Sequence, residues 1–316
     1  MPKESDADVT FTETRQATAT ETAWLFINRI AGSFDKSQSH MRLRALLEEL
    51  GMLPVEINSP DQLKAMWNDP AQIRPDVIVS VGGDGTAAMI AGVTSGEVPI
   101  AIYPAGTENV LAKYLQIPTD FTAFSKMLSK RFVRQIDAGK CGDRTFMLMA
   151  SVGFEAEIVH QVHARRNGHL TKFHYVRPTF RMLAQYEYPR IQLDIELADG
   201  TRTQTEGYWA FAFNVPRYAL GFEVAPKATP DDGLLDICVF TRKGFWSTGA
   251  YITSLLSGSI SERSDVQIFQ ARSAEITSLD APIPLQTDGD PAGFTDVRLA
   301  VLPNYLPLVV PKRKAR

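Results

Sequence analysis

The chain has 316 residues, of which 44% are hydrophobic and 22% are charged, as is typical of a folded protein with one large or two ordinary domains. Its formal net charge of −3 gives no reason to expect a nucleic-acid partner, and no segment approaches the roughly 20 apolar residues of a membrane-spanning helix. The two cysteines, Cys141 and Cys238, belong to no motif, so we expect buried free thiols in a cytoplasmic protein.

The first part of the chain alternates between predicted strands and predicted helices. Residues 1–22 are polar and threonine-rich and lack the apolar centre of a signal peptide, so we expect a disordered tail. Strands are then predicted at 24–28, 53–57, 76–81 and 100–103, and helices at 40–50, 60–68, 87–93 and 110–115. This alternation predicts a parallel sheet with helices on its faces.

After about residue 130, strand-like segments follow one another. Residues 191–197 alternate apolar and polar side chains, as a half-exposed antiparallel strand does. Further strands are predicted at 133–138, 145–151, 207–214, 234–240, 273–279 and 297–302, and helices at about 154–186 and 245–257. We therefore predict an α/β fold with an N-terminal parallel-sheet domain, residues 23–135, and a C-terminal, mainly antiparallel β-sandwich domain, residues 136–300.

The sequence Val-Gly-Gly-Asp-Gly-Thr at residues 81–86 lies between a predicted strand and a predicted helix. Glycines allow close approach of a ligand, successive N–H groups form an anion-binding concavity, and the helix N-terminus adds positive charge. A phosphate would repel Asp84 unless a cation lay between them. The motif therefore predicts a nucleotide with Mg²⁺, and hence phosphoryl transfer. A purely structural turn is the alternative, because Gly and Asp are common turn residues.

A second turn, Pro-Ala-Gly-Thr-Glu-Asn at residues 104–109, follows the next predicted strand. Ligands bind at the carboxyl ends of parallel strands, where these two turns would lie side by side. Together they predict a nucleotide-phosphate cradle formed by Gly82, Gly83, Gly85, Thr86, Gly106, Thr107 and Asn109.

The pair Gly-Gly-Asp-Gly-Thr and Pro-x-Gly-Thr-x-Asn resembles the catalytic region of diacylglycerol kinases and of their relatives, the sphingosine and ceramide kinases. Three further segments agree in order and spacing: residues 26–33 resemble the family's first phosphate loop, residues 225–236 its Asp-Gly-Leu-Leu segment, and residues 288–290 its late Asp-Gly-Glu. The resemblance spans about residues 24–310. It implies that the final strands return to the first domain, which would then include about residues 301–311.

The resemblance also assigns residues to the nucleotide and its metal. Asn28 and Gly32 would close the third side of an ATP site, and Asp84 would bind Mg²⁺ directly or through water. Ser59 would contact the nucleotide where the family often has Thr, although a helix N-cap is an equal alternative. A second, structural cation would be held by the side chain of Asp232 and by the backbone carbonyls of Thr229 and Leu234. A solvated turn is the alternative for this second segment.

Asp290 stands where the family has its catalytic base, a glutamate. Aspartate is shorter by one methylene, about 1.5 Å of bond length, and a misplacement of ~1 Å can lower a rate about 10²-fold. Either the backbone compensates, or water relays the proton, or activity is weak. An Asp-Gly hairpin turn is the structural alternative for this motif. His160 and His163 lie three residues apart on a predicted helix without a third zinc ligand, so we expect ordinary surface or hydrogen-bonded histidines.

The resemblance implies an ATP-dependent and Mg²⁺-dependent lipid kinase that phosphorylates diacylglycerol or a related lipid alcohol at a membrane surface. Part of the apolar acceptor wall would come from Phe173, Tyr175, Val176, Phe180, Met182, Leu183 and Tyr186, although core packing of these side chains is an equal alternative. Two other functions stay open: a phosphotransferase related to NAD kinases, and a catalytically weak lipid- or nucleotide-binding protein. The basic C-terminal tail could contact an anionic bilayer, and an exposed edge of the β domain could form a homodimer.

Overall fold

The computed structural model describes residues 21–28, 36–164, 185–218 and 221–312. Some of the predictions above lie outside these ranges, and they concern residues 1–20 of the predicted tail, Gly32, the acceptor wall apart from Tyr186, and the end of the basic C-terminus. The first strand begins at Glu21, so the last residues of the predicted tail belong to a strand instead.

The N-terminal part is a four-stranded parallel sheet in the order β2-β1-β3-β4. Its strands are β1 (Glu21–Ile27), β2 (Met52–Ile57), β3 (Val77–Gly82) and β4 (Ile100–Pro104). All six residues of β3 are buried, as expected for a strand covered on both faces. Five helices accompany this sheet: α1 (Lys36–Glu49), α2 (Pro60–Asn68), α3 (Asp84–Thr94), α4 (Val110–Tyr114) and α5 (Phe121–Lys130).

The C-terminal part is mainly antiparallel. Its longer strands are β5 (Phe132–Cys141), β8 (Ile191–Leu197), β9 (Arg202–Gly207), β10 (Trp209–Phe213), β13 (Leu235–Phe240), β14 (Val266–Ser278) and β17 (Val297–Val310). Shorter strands are β6 (Arg144–Phe146), β7 (Met149–Val152), β11 (Arg217–Tyr218), β12 (Phe222–Glu223), β15 (Pro284–Thr287) and β16 (Asp290–Phe294). The main sheet runs β16-β15-β7-β10-β13-β14-β17, the β8–β9 hairpin pairs with β14, and the β5–β6 hairpin pairs with β17. The predicted α/β fold with an antiparallel second half is confirmed.

The last strand joins the two parts of the molecule. β17 pairs antiparallel with β14 and with β5, and its residue Leu308 pairs in parallel register with Ile100 of β4. One continuous sheet therefore runs through the molecule, and the end of β17 packs beside the first sheet.

Two helices, α6 (Phe154–Ala164) and α7 (Phe245–Ser257), pack on one face of the C-terminal sheet. Trp209 on that face contacts both of them, with ring centroids 5.5 Å from Phe154 and 5.8 Å from Tyr251. The opposite face of the sheet forms a second, mainly aliphatic core. Cys141 and Cys238 are buried and free, as predicted, and burial raises the pKa of the Cys141 thiol to about 11. Among the helices that the structure describes, none is long and apolar enough to cross a bilayer.

The structure differs from the sequence prediction at residues 145–151. Strand β6 ends at Phe146 and β7 begins at Met149, because the backbone N–H groups of 147–149 donate to a side chain from another part of the chain, Asp288. The helix predicted to continue to residue 186 is described only up to Ala164. The β15–β16 hairpin was not predicted as a pair of strands.

Candidate active site

The two glycine-rich turns touch each other at the carboxyl ends of β3 and β4. These strands are paired so that Gly82 lies opposite Pro104, and Ala105 donates a hydrogen bond to the Gly82 carbonyl at 2.9 Å. A β-carbon on Gly83 would lie 3.2 Å from the α-carbon of Gly106, and one on Gly106 would overlap the α-carbon of Gly83. Side chains are therefore excluded from this contact, and the backbones of the two turns form one continuous surface.

Asn109 fixes the second turn. Its side-chain Oδ1 accepts a hydrogen bond from the Gly106 N–H at 3.0 Å, and its Nδ2 donates to the Gly106 carbonyl at 2.8 Å. Its φ of 49° lies in the left-handed region, which asparagine tolerates better than most residues. Asn109 thus holds the shape of the turn, whereas direct contact of its side chain with a nucleotide stays a prediction.

Asp84 connects the two motifs. It is the first residue of α3, and its Oδ2 and Oδ1 accept hydrogen bonds from the N–H groups of Val110 at 2.7 Å and Leu111 at 3.1 Å. These donors begin α4, so one carboxylate caps the helix that follows the second turn. Burial raises the pKa of Asp84, while the two N–H bonds and the charge of Lys113 lower it. Each carboxylate oxygen has a further lone pair, which leaves capacity to bind a cation or its water.

The third side of the cradle comes from the end of β1. Asn28 donates from Nδ2 to Oγ1 of Thr86 at 2.8 Å, and its backbone N–H bonds to the Val81 carbonyl at 3.1 Å. Thr86 is buried, and a β-carbon on Gly82 would overlap its hydroxyl. The structure therefore brings together Asn28, Thr86 and both glycine turns, with Gly85 and Thr107 exposed at the rim.

Ser59 lies beyond the end of β2, at the same edge of the sheet, but its hydroxyl has a structural role. It is the N-cap of α2, where its Oγ accepts a hydrogen bond from the Gln62 N–H at 3.1 Å. Pro60 follows at the first helical position, which requires no N–H donor. The N-cap alternative is confirmed, and a nucleotide contact by Ser59 stays a prediction.

The late Asp-Gly-Asp motif forms the turn between β15 and β16. Asp288 and Gly289 have φ values of 50° and 89°, as a two-residue hairpin turn with positive φ at both positions requires. The Asp288 carboxylate accepts hydrogen bonds from Met147 at 2.7 Å, Leu148 at 2.8 Å and Met149 at 3.0 Å. Burial raises the pKa of Asp288 to about 6, and the charge of Asp84 adds to this effect. Burial is the main cause, and the Asp84 charge is a minor contribution from the N-terminal part.

Asp290, the predicted base, is the first residue of β16, and its side chain is 61% exposed. Its Oδ1 lies 3.6 Å from Nε2 of His163 on α6. The helix α6 is held beside this hairpin by His160, whose Nε2 lies 2.7 Å from the Leu285 carbonyl oxygen. The sequence analysis singled out both histidines only as an incomplete zinc pair and missed their contacts with the hairpin. The spacing of three residues, which puts them on one face of a helix, was the available signal.

Thr229, Asp232 and Leu234 lie in the turn that precedes β13. Asp232 accepts hydrogen bonds from the Thr229 side chain and from the Leu234 N–H, the latter at 3.0 Å. The adjacent Asp137, which the sequence analysis did not single out, accepts bonds from Gly233 and Asn304, both at 2.7 Å. The described part of the chain contains no group of three or more acidic, histidine or cysteine side chains suited to a metal. A structural cation there stays a prediction.

The sequence of this chain is similar to those of known lipid kinases along most of its length. Residues 22–141 match the diacylglycerol kinase catalytic domain, and residues 149–310 match the YegS C-terminal NAD kinase beta sandwich-like domain. The chain is 25% identical to a diacylglycerol kinase of Mycobacterium tuberculosis over 85% of this chain and 88% of that protein. It is 27% identical to the uncharacterized protein sll0036 of Synechocystis over 92% of this chain and 71% of that protein.

The fold is also similar to that of a solved structure. The crystal structure of a diacylglycerol kinase from Bacillus anthracis superposes with a TM-score of 0.70 and covers 94% of this chain and 99% of that chain, at 21% sequence identity. The two domain matches follow each other along almost the whole described chain. The chain therefore belongs to the diacylglycerol kinase catalytic-domain family of lipid kinases.

Proposed function

We propose that this protein is an ATP-dependent and Mg²⁺-dependent kinase that transfers a γ-phosphate to a hydroxyl group of diacylglycerol or a related lipid alcohol. Membership of the lipid-kinase family supports the reaction class. The observation that carries the nucleotide assignment is the contact between Gly83 and Gly106, which leaves two turns of bare backbone at the carboxyl ends of adjacent strands.

The residues around this contact fit a nucleotide phosphate. The N-terminus of α3 begins at Asp84 and supplies N–H groups and a positive dipole end. A β-carbon on Gly82, Gly83 or Gly106 would meet protein atoms, so these glycines allow the two turns and Thr86 to pack closely. A β-carbon on Gly85 would meet no atom within 4 Å, so the space beside Gly85 is open to a phosphate. We expect the triphosphate to lie over these glycines, with the exposed Thr107 hydroxyl within reach of it.

Asp84 fits a magnesium site. Mg²⁺ in kinases is usually bound by one or two carboxylates together with phosphates and waters, so the site does not need a larger cluster of acidic side chains. The bound ion would neutralise charge on the transferred phosphate. Asp84 keeps its geometry because Val110 and Leu111 already hold both of its oxygens. Asp288 would be the second carboxylate near the phosphates, and its raised pKa reflects both burial and the Asp84 charge.

Asp290 would accept the proton of the attacking hydroxyl group. It is accessible at the start of β16, and the rigid two-residue turn before it fixes where its short side chain begins. The His163 ring, with Nε2 3.6 Å from Oδ1 of Asp290, would orient the carboxylate. This partner offers a way in which an aspartate can work where the family has a glutamate.

The exposure of Asp290 also favours a second candidate function, a catalytically weak lipid- or nucleotide-binding protein. A side chain that is 61% exposed and one methylene short is poorly held for proton transfer unless substrate closes the site. Comparing Asp290→Glu with the native protein decides between the two functions. A variant that is far more active than the native protein would support the binding function.

The proposal is tested by incubating the protein with Mg²⁺ and labelled ATP against a panel of lipid alcohols and NAD. Label transferred to one lipid, and lost in Asp84→Asn, would support the lipid kinase and identify its acceptor class. Transfer to NAD would replace it with the NAD kinase alternative. Nucleotide binding without any transfer would favour the binding protein.

A further inference from the structure

Helix α7 has an outward face without any charge. None of its 13 residues, F-W-S-T-G-A-Y-I-T-S-L-L-S, is Asp, Glu, Lys or Arg. Trp246 is 85% exposed and Leu256 is 65% exposed, and Phe245 beside them is 46% exposed. Between Trp246 and Leu256, the same face carries only the small or uncharged residues Gly249, Ala250 and Thr253. A surface helix of a globular protein normally has charged or polar residues opposite its buried face.

The inner face of α7 packs against the C-terminal sheet and forms hydrogen bonds with it and with Tyr188. Tyr251 packs edge-on against Phe240 at 4.8 Å, and its hydroxyl donates to the Asp265 carbonyl at 3.2 Å. The buried Thr248 donates from its hydroxyl to the Tyr188 hydroxyl at 2.8 Å. The orientation of the helix is therefore fixed from within, and the exposure of Trp246 follows from that orientation.

The charges around α7 suit an anionic surface. Arg242 and Lys243 directly precede the helix, and both are exposed. Asp280 forms an ion pair with Arg190 at 3.2 Å, and Asp265 forms its shorter ion pair with Arg263 at 2.8 Å. Arg242 also contacts Asp265, with Nε 3.7 Å from Oδ2, but its side chain is still 71% exposed. An exposed tryptophan and phenylalanine next to basic residues are typical of an element that lies in the interface of a bilayer.

The position of α7 also agrees with access to a membrane-borne acceptor. Helices α6 and α7 lie on one face of the sheet, and both contact Trp209 through Phe154 and Tyr251. Helix α6 carries His163, the partner of Asp290. A bilayer against α7 would therefore lie on the side of the molecule that carries the proposed base.

We propose that α7 docks this protein onto an anionic phospholipid bilayer by inserting Phe245, Trp246 and Leu256, with Arg242 and Lys243 at the headgroups. The purpose of this docking rests on the proposed lipid-kinase function, but the binding can be measured without catalysis. The outward face of α7 could instead be covered by a second copy of the chain or by a segment outside the described residues. The experiments below distinguish these cases from membrane docking.

Tryptophan fluorescence gives a direct test with the full chain. Of the four tryptophans, Trp24, Trp67 and Trp209 are buried, so Trp246 is the one whose emission responds to a new surface contact. Adding vesicles of phosphatidylglycerol and phosphatidylcholine should shift the emission to shorter wavelength, and brominated lipids in the bilayer should quench it. Trp246→Phe should abolish the shift while vesicle co-sedimentation is retained.

The double variant Trp246→Ser with Leu256→Ser should weaken vesicle binding at least about tenfold, because it removes two large side chains from the contact. Ile73→Ser is the matched control, since Ile73 is 70% exposed on the N-terminal part and should not affect binding. Unchanged vesicle binding in the double variant would overturn the proposal. The proposal would also be overturned if acrylamide could not quench Trp246 fluorescence before vesicles are added. The outward face of α7 would then already be covered by another part of the chain or by a second copy.

The double variant also shows whether a loss of activity comes from weaker membrane docking or from impaired catalysis. With dioctanoylglycerol dispersed in water, the double variant should phosphorylate as fast as the native protein, whereas with acceptor in vesicles it should be slower. Loss of vesicle binding together with no transfer to any lipid would leave the docking surface supported and the kinase function refuted. Equal rates on vesicles for both proteins would refute the docking surface alone.

Discussion

Gly83 and Gly106 lie so close that a β-carbon on Gly83 would be 3.2 Å from the Gly106 α-carbon, and one on Gly106 would overlap the Gly83 backbone. Each glycine belongs to a different motif, and each follows a different strand. Their contact joins two separate sequence motifs into one backbone surface, and it explains why both positions need glycine for a reason other than backbone dihedral freedom.

Gly106→Ala should damage both stability and nucleotide binding. The added methyl must push the two turns apart, and overpacking of this kind typically lowers the free energy of unfolding by about 1–3 kcal/mol. We expect this loss in urea unfolding and a weaker affinity in an ATP titration. Gly92→Ala in α3 is the control, because Gly92 is exposed and a β-carbon added there would have no neighbouring atom within 4 Å.

For Gly92→Ala we expect a small gain in the free energy of unfolding, about 0.5–1 kcal/mol, since alanine favours an exposed helix interior over glycine. ATP affinity should be unchanged. Native stability in Gly106→Ala would show that the turns can separate freely, contrary to the contact described here.

The variant Asp84→Asn should show how much the Asp84 carboxylate contributes to stability, as the cap of α4, and how much it contributes to turnover, as the proposed Mg²⁺ ligand. The amide has a single acceptor oxygen, so one of the N–H groups of Val110 and Leu111 loses its partner, and the free energy of unfolding should fall by about 1–2 kcal/mol. We expect turnover to fall at least about 100-fold, because the proposed Mg²⁺ ligand loses its charge.

Asp120→Asn is the matched control for Asp84→Asn. Asp120 is the N-cap of α5, where its Oδ1 accepts a hydrogen bond from the Ala123 N–H at 2.8 Å. This variant should keep its turnover and lose little stability, because the amide oxygen can still accept the single N–H of Ala123. If both variants kept full turnover, Asp84 would be a structural cap only.

Asp290→Asn should lower turnover by about 10²–10⁴-fold with an intact fold, because an amide cannot accept the proton of the hydroxyl group. Asp290 is exposed and accepts no helix or strand N–H among the described contacts, so thermal unfolding should hardly change. For a working kinase, Asp290→Glu should keep turnover close to that of the native protein.

His163→Gln tests whether the neighbouring histidine positions Asp290. We expect a fall in kcat on the order of tenfold and an unchanged KM for ATP, because the histidine would act on the carboxylate and not on the nucleotide. In the Asp290→Asn background, the same change should have no further effect on kcat. An additional loss in that double variant would place the role of His163 elsewhere.

Asp236 should make stability depend on pH. It is 2% exposed, and burial, aided by the charge of Asp232 and opposed by Lys227, raises its pKa to about 6. Between about pH 3.9, the pKa of an unfolded aspartate, and about pH 6, the Asp236 carboxyl group is therefore protonated in the folded state but ionised in the unfolded state. Its stabilising effect is full below about pH 4 and is lost as the pH rises through about 6.

The variant Asp236→Asn cannot ionise, so it should not show this loss. The difference in free energy of unfolding between variant and native protein should grow by about 2–3 kcal/mol from pH 4 to pH 7, in favour of the variant. Other carboxyl groups titrate in both proteins, so the difference curve isolates Asp236. A flat difference curve would show that the Asp236 carboxyl is hydrated in the folded protein.

Local sequence patterns predicted the strands and helices that are determined by residues close to one another in sequence. The alternation at Ile191–Leu197 gave the bounds of β8, and the apolar run at Phe245–Ser257 gave those of α7. The strand, glycine turn and helix around Asp84 were also correct, because a buried strand, a turn and a helix N-terminus are each encoded within a few residues. The same patterns placed the two glycine turns side by side, whereas Asn28 was assigned to the site only by the resemblance to the kinase family.

Only the tertiary structure decided how these elements act on each other. The capping of α4 by Asp84 joins residues 26 apart in sequence, and the Asp288 bond that separates β6 from β7 joins residues 141 apart. The pairing of His163 with Asp290, and the uncharged outward face of α7, likewise exist only after the C-terminal sheet has formed. Periodicity and turn residues report on backbone preferences within one element, whereas these contacts depend on which distant elements the sheet brings side by side.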